Sequence, residues 1–157
     1  GGGPLTGKFK AVIPGGLSAP MIPLSGLGVK MNFADLATAD SMMGSAAVIA
    51  LDETASIPAV GRRIAEFFSH ESCGKCAPCR EGLPWASKIL NRIESGQGRP
   101  GDVEQLQVIC GGVFDNSFCA LGVGAAWAIR ATLTHFRHEY DALISQQTIS
   151  INDRKNS

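Results

Sequence analysis

A chain of 157 residues with 45% hydrophobic content is long enough for one ordinary domain or two small ones and has the means to bury a core, which excludes a disordered polypeptide. Fourteen basic residues balance fourteen acidic ones, so nothing electrostatic points to nucleic acid or to an anionic membrane surface. The longest apolar runs, 46–51 and 123–129, are too short to span a bilayer, the Gly-rich start lacks a signal-peptide design, and an odd five cysteines argue against a secreted disulfide framework.

The composition therefore predicts a soluble, unexported protein of a reducing compartment. Taken in order, Phe9-Lys10-Ala11-Val12-Ile13 reads as a strand ended by Pro14-Gly15-Gly16. Residues 17–29, broken by Pro20, Pro23, Gly26 and Gly28, predict a surface loop. A turn or short helix is expected within 32–43, and the compact apolar run 46–51 suits a buried strand ended by Asp52-Glu53. Residues 1–54 thus predict a small α+β unit, too small to carry a stable sheet by itself.

From Ser56 the spacing becomes helical. Ser56 is placed to cap, Pro58 suits the first turn, and Ile57, Val60, Ile64, Phe67 and Phe68 fall on one face. His70, at the end of this helix, reads as a favourable charge near the C-terminus and not as a ligand. A second stripe follows at Leu83, Ala86, Ile89, Leu90 and Ile93, closed by the Gly-rich loop 95–101. Asp102 with Gln105 suggests a capping box for a third helix with Val103, Leu106, Ile109, Cys110 and Val113 inward, which makes Cys110 a buried free thiol. A last helix is expected over 123–140 with Ala126, Trp127, Leu133, Phe136 and Tyr140 inward. The class is α+β: a small sheet unit, a four-helix bundle over 55–144, and a polar, mobile tail over 145–157.

The chemistry sits between the first two helices. Glu71-Ser72-Cys73-Gly74-Lys75-Cys76-Ala77-Pro78-Cys79-Arg80-Glu81-Gly82 places three thiols at two-residue intervals, and Cys119 lies forty residues beyond Cys79, at the start of the last helix. A cubane iron-sulfur cluster takes one thiolate per iron, and Cys73, Cys76, Cys79 and Cys119 supply four. Gly74 can take a positive φ cheaply and Pro78 fixes the chain before the third thiol. Lys75 and Arg80 are candidates for offsetting cluster charge, with simple solvation as the competing reading. Zinc prefers paired C-x2-C knuckles, and a triplet with one distant partner fits it poorly. The spacings of plant-type and bacterial ferredoxins are both absent. The Gly122-Val123-Gly124 sequence follows no strand and lacks the third glycine of a dinucleotide fingerprint. No P-loop, nucleophile elbow or metallohydrolase motif occurs, so no catalytic residue is assigned.

On the Glu71 to Gly82 stretch, Cys119-Ala120-Leu121-Gly122 and His135-Phe136-Arg137, the chain resembles the NADH-binding flavoprotein subunit of respiratory complex I. Ala11-Val12-Ile13-Pro14-Gly15-Gly16 and Ser18-Ala19-Pro20-Met21 are similar to the β-grasp segment of that family. The resemblance implies that Cys73, Cys76, Cys79 and Cys119 hold a 4Fe-4S cluster, which takes electrons from flavin and relays them to other iron-sulfur subunits of the peripheral arm. It implies a peripheral site on the cytoplasmic or mitochondrial-matrix face of the membrane, without insertion and without nucleic acid. The family binds FMN and NADH in an N-terminal domain that nothing here matches, and the first β-grasp strands are also missing. The chain thus resembles a C-terminal fragment with a partial β-grasp unit whose edge lacks partners. Two alternatives stand beside this: a diaphorase subunit of an NAD-linked hydrogenase or formate dehydrogenase, and a metal-stabilised interaction module holding zinc or a cluster for structure alone. The Cys119-Ala120-Leu121-Gly122 and Gly124-Ala125-Ala126-Trp127 segments favour complex I.

Overall fold

The computed structural model describes residues 7–145; the tail expected to be mobile lies, Ser145 apart, outside the described residues. Among them three short strands precede a helical bundle, an α+β fold. The elements are β1 (Phe9–Ile13), β2 (Ile22–Pro23), α1 (Phe33–Thr38), β3 (Ile49–Asp52), α2 (Ile57–His70), α3 (Ala77–Glu94), α4 (Asp102–Asn116) and α5 (Ala120–His135), followed by α6 over residues 137–145.

The sheet is antiparallel with β1 in the middle, in the order β2-β1-β3. Val12 pairs with Ile22 on one side and Ala50 on the other, and Ala11 and Ile13 turn their side chains into the core. Two sequence expectations need correcting here. The predicted loop 17–29 contains β2 and a 3-10 turn at Leu24–Gly26, with Ala19, Met21 and Ile22 buried. Pro23 is tolerated because β2 is an edge strand, where a missing N–H forfeits no ladder bond. The strand expected at 46–51 starts at Ile49 and alternates half-buried with exposed residues. Ala46 and Gly44 both have positive φ, 57° and 47°, in a turn where Ser45 N–H donates to the Gly15 carbonyl at 3.0 Å. This turn packs so closely on Gly15 that a β-carbon there would lie 2.5 Å from the Met43 carbonyl oxygen.

The bundle follows the periodicity more faithfully. Ser56 Oγ accepts from Ala59 N–H, and Pro58 lies in the first turn of α2, where no N–H is needed. Ile57, Ile64 and Phe68 are buried, but Phe67 is 46% exposed, a correction to its expected place on the inner face. Phe67 and Phe68 are one residue and so about 100° apart on a helix, and Phe68 turns into the core while Phe67 lies at the edge of the buried stripe. α2 packs on α3 and α5, and α4 on α3 and α5, which closes a four-membered ring. Its interior is filled by Leu83, Leu90, Ile93, Leu106, Ile129 and Leu133, and the sheet residues Ala11, Ile13 and Met21 join the same core.

The capping box at Asp102 does not form. Gly101, at φ 89°, is the N-cap of α4, and the buried Asp102 carboxylate is drawn instead to Arg92 at the end of α3 and to Arg99 N–H at 2.8 Å. The last helix is also two: α5 begins at Ala120, Phe136 interrupts it at φ −127°, and the chain resumes as α6. That break returns Tyr140 to the core, fully buried, where its hydroxyl lies 2.8 Å from Thr132 Oγ. Thr132 donates its own proton to the Ile129 carbonyl at 2.7 Å, so Tyr140 is the donor of the pair. Gly61 makes room, since a β-carbon there would sit 2.5 Å from the Tyr140 hydroxyl.

Candidate functional site

The cysteines singled out by spacing come from three places in the fold. Cys73 lies in the segment between α2 and α3, Cys76 is the N-cap of α3, Cys79 is in its first turn, and Cys119 is the N-cap of α5. All four are free thiols, and they line one cavity of about 150 Å³ together with Ser72, Ser117, Leu121 and Gly122. Cys79 is buried, Cys76 half-buried, and Cys73 and Cys119 are exposed, so the cavity has a closed wall and an open one. Among the described residues no group of three or more His, Cys, Asp or Glu closes round a single ion.

Local forces hold the thiols in this arrangement. Gly74, at φ 77°, reverses the chain between Cys73 and Cys76, a conformation that costs glycine little. Its N–H donates to Ser72 Oγ at 3.3 Å, and that hydroxyl lies 3.4 Å from Cys79 Sγ. Phe118 N–H donates to Cys76 Sγ at 3.4 Å, which ties the approach to Cys119 to the first cysteine stretch. Gly122 is required where it is: a β-carbon there would come 2.7 Å from Ser117 Cβ, and closer still to its hydroxyl.

Two helix N-termini meet at the cavity. α3 and α5 both begin at a cysteine whose side chain makes no cap hydrogen bond, so each leaves unpaired backbone N–H groups and the positive end of its dipole at the cavity. Neither candidate tuning side chain lines the cavity. Arg80 donates to the Gly74 carbonyl at 2.8 Å and to Glu81 at 2.9 Å, bracing the turn, while Lys75 Nζ lies 5.8 Å from the centre of the Phe118 ring. Cys110 stands apart in the core, where burial pushes its thiol up to about 12. His70 is exposed beside Glu71, at 3.0 Å, and away from the cavity. Gly124 serves packing, with a notional β-carbon 3.0 Å from Ser18 Cβ.

Sequence reasoning missed Ser72, Ser117, Leu121 and Gly122. A serine one residue before Cys73 and another two before Cys119 were visible, but a hydroxyl beside a cysteine carries no signal of its own until the fold points it inward.

A helical bundle that gathers four free thiols on one cavity, two of them at helix N-termini, presents the donor set of a candidate cysteine-built metal centre. A profile of the NADH-ubiquinone oxidoreductase-F iron-sulfur binding region matches residues 59–143, and the chain belongs to that family. The second NADH-quinone oxidoreductase F-subunit of Rhizobium meliloti (strain 1021) is 56% identical over 147 residues, 93% of this chain and 35% of that protein. The corresponding F-subunit of Mycobacterium tuberculosis (strain ATCC 25618 / H37Rv) is 42% identical over 85% of this chain and 30% of its own length. That of Escherichia coli (strain K12) is 40% identical over 88% of this chain and 32% of its own. The chain therefore spans about a third of the length of the curated relatives it matches. Among solved structures, NAD+-reducing NiFe hydrogenase in the H2-reduced state superposes with a TM-score of 0.78 at 28% identity, over 88% of this chain and 24% of that one. No helix among the described residues is long and apolar enough to cross a membrane.

Proposed function

We propose that Cys73, Cys76, Cys79 and Cys119 hold a 4Fe-4S cluster and that this chain is the electron-transfer part of an NADH:quinone oxidoreductase flavoprotein subunit. The observation that carries this is the shared cavity: four thiols from two stretches of chain line one volume of about 150 Å³, and a cubane cluster takes one thiolate per iron. When bound, such a cluster takes up and gives back one electron at a time. The chain contributes four thiolates, two helix N-termini and the Phe118 N–H that favour negative charge, and the packed side of the bundle behind Cys79, which keeps water from that wall. Lys75 and Arg80 act from the rim, Arg80 through the Gly74 turn it pins.

In this reading residues 55–144 form the cluster-binding helical domain and 1–54 a partial β-grasp unit. FMN and NADH bind in the part of the complete subunit that this chain does not cover. The electrons pass to other iron-sulfur subunits of the peripheral arm, on the cytoplasmic or matrix face of the membrane. The structural likeness to NAD+-reducing hydrogenase supports a second reading, a diaphorase subunit of such an enzyme, but the identities to the NADH-quinone oxidoreductase proteins are higher.

The test is metal analysis with visible absorption and low-temperature EPR on the anaerobically reconstituted chain. About four irons per chain with a reducible signal is the expected result. Zinc without colour would overturn the reading and leave a structural metal module.

A further inference from the structure

The Ser117 hydroxyl is a buried polar group with no hydrogen-bond partner among the described residues, and it lines the thiol cavity. Buried hydroxyls are almost always paired, so an unpaired one at a candidate site calls for a partner that belongs to the site's occupant. Ser117 is the C-cap of α4: its N–H is spent on the Val113 carbonyl at 3.1 Å, and its extended backbone, φ −87° and ψ 134°, leads directly to Cys119. Gly122, one turn into α5, packs against the Ser117 side chain and confines it. The other hydroxyl on the cavity, Ser72, is already engaged by Gly74 N–H and faces Cys79 Sγ.

We propose that Ser117 is a positioning residue whose hydroxyl donates a hydrogen bond to a sulfur of the iron-sulfur group held by the four thiols, and thereby eases its reduction. The proposal rests on the reading of Cys73, Cys76, Cys79 and Cys119 as ligands. Its physical basis is that a donor aimed at sulfur stabilises the more negative, reduced state more than the oxidised one. Sulfur is also the acceptor this donor lacks: the cavity's protein lining offers it thiols, apolar carbon and one occupied hydroxyl.

The experiment compares reconstituted wild type with Ser117→Ala and Ser117→Thr by iron content, EPR and redox titration. With iron unchanged, Ser117→Ala should lower the reduced-to-oxidised ratio at the wild-type midpoint by about tenfold, a shift of about 59 mV for a one-electron couple, and Ser117→Thr should restore it. An unshifted midpoint in a fully loaded Ser117→Ala protein overturns the proposal and leaves the cluster reading intact. Zinc or no metal in the wild type overturns the cluster reading instead, and the proposal with it. Should Ser117→Ala fail to load, ENDOR of loaded wild type in H2O and D2O decides: a rapidly exchanging proton coupled to the iron, kept in Ser117→Thr, supports the hydroxyl donor, and its absence refutes it.

Discussion

Glycine to alanine substitutions at three helical positions separate backbone propensity from packing at the cavity. Gly111 and Gly112 lie inside α4, and a β-carbon at either meets nothing within 4 Å. Alanine there gains helix propensity at no steric cost, a stabilisation of about 0.5–1 kcal/mol each. Gly122 is also helical, in the first turn of α5, but its new β-carbon would stand 2.7 Å from Ser117 Cβ, an atom fixed by the backbone that no rotamer can move aside. Cys79 Cβ, at 3.5 Å, is in ordinary contact and does not object. Overpacking of this kind costs about 1–3 kcal/mol, which outweighs the same propensity gain and leaves Gly122→Ala about 1–2 kcal/mol below wild type. Thermal unfolding of the metal-free chain should place it several degrees below wild type and Gly112→Ala above, at about 2–4 °C per kcal/mol. Because Ser117 and the start of α5 must separate to admit the methyl group, Gly122→Ala should also retain less iron after reconstitution. A Gly122→Ala protein as stable as Gly112→Ala and equally rich in iron would show that the contact constrains neither helix nor cavity.

Cys119→Ala should abolish or destabilise the iron-sulfur signal, whereas Cys110→Ala should leave its spectrum unchanged; loss of signal in Cys110→Ala alone would reverse the ligand assignment. The same core thiol makes stability sensitive to alkali. Folded Cys110 keeps its proton up to about 12 while the unfolded thiol, ordinarily near 9.0, loses it. The unfolded state thus binds fewer protons between these values, and stability falls as pH rises through that window, by at most about 1.4 kcal/mol per pH unit from this group. Buried Tyr140 is raised by the same cause and adds in the same direction. Urea midpoints of metal-free protein at about pH 8 and about pH 10.5, values chosen to bracket the unfolded thiol's titration, should diverge less in Cys110→Ala than in wild type. An identical divergence would remove Cys110 from the account.

The cysteine ligand candidates, the inner faces of α3 and α4 and the cap at Ser56 were legible in the sequence because each depends on spacing within a few turns of chain. What was not legible depends on contacts between distant segments. Pro23 could be read as a breaker but not as part of an edge strand, which exists only because β1 lies beside it. Asp102 looked like a cap, but Arg92, ten residues earlier on another helix, claims its carboxylate. Phe67 and Phe68 both fit the helical stripe by spacing, and which of the two is buried depends on the neighbouring helices. At the cavity, Gly122 read as half of a decoy motif, and its purpose emerges only once α5 folds back on the end of α4.

The unequal burial of the four thiols sets an order of events for anything that arrives from solution. Cys73 and Cys119 form the threshold, Cys76 lies behind them, and Cys79 is sealed against the bundle. A bulky alkylating reagent applied to the metal-free protein meets the two outer thiols first and the innermost last. Were the proposed cluster held there, Cys73 and Cys119 would be its solvent-facing ligands and Cys79 its shielded one.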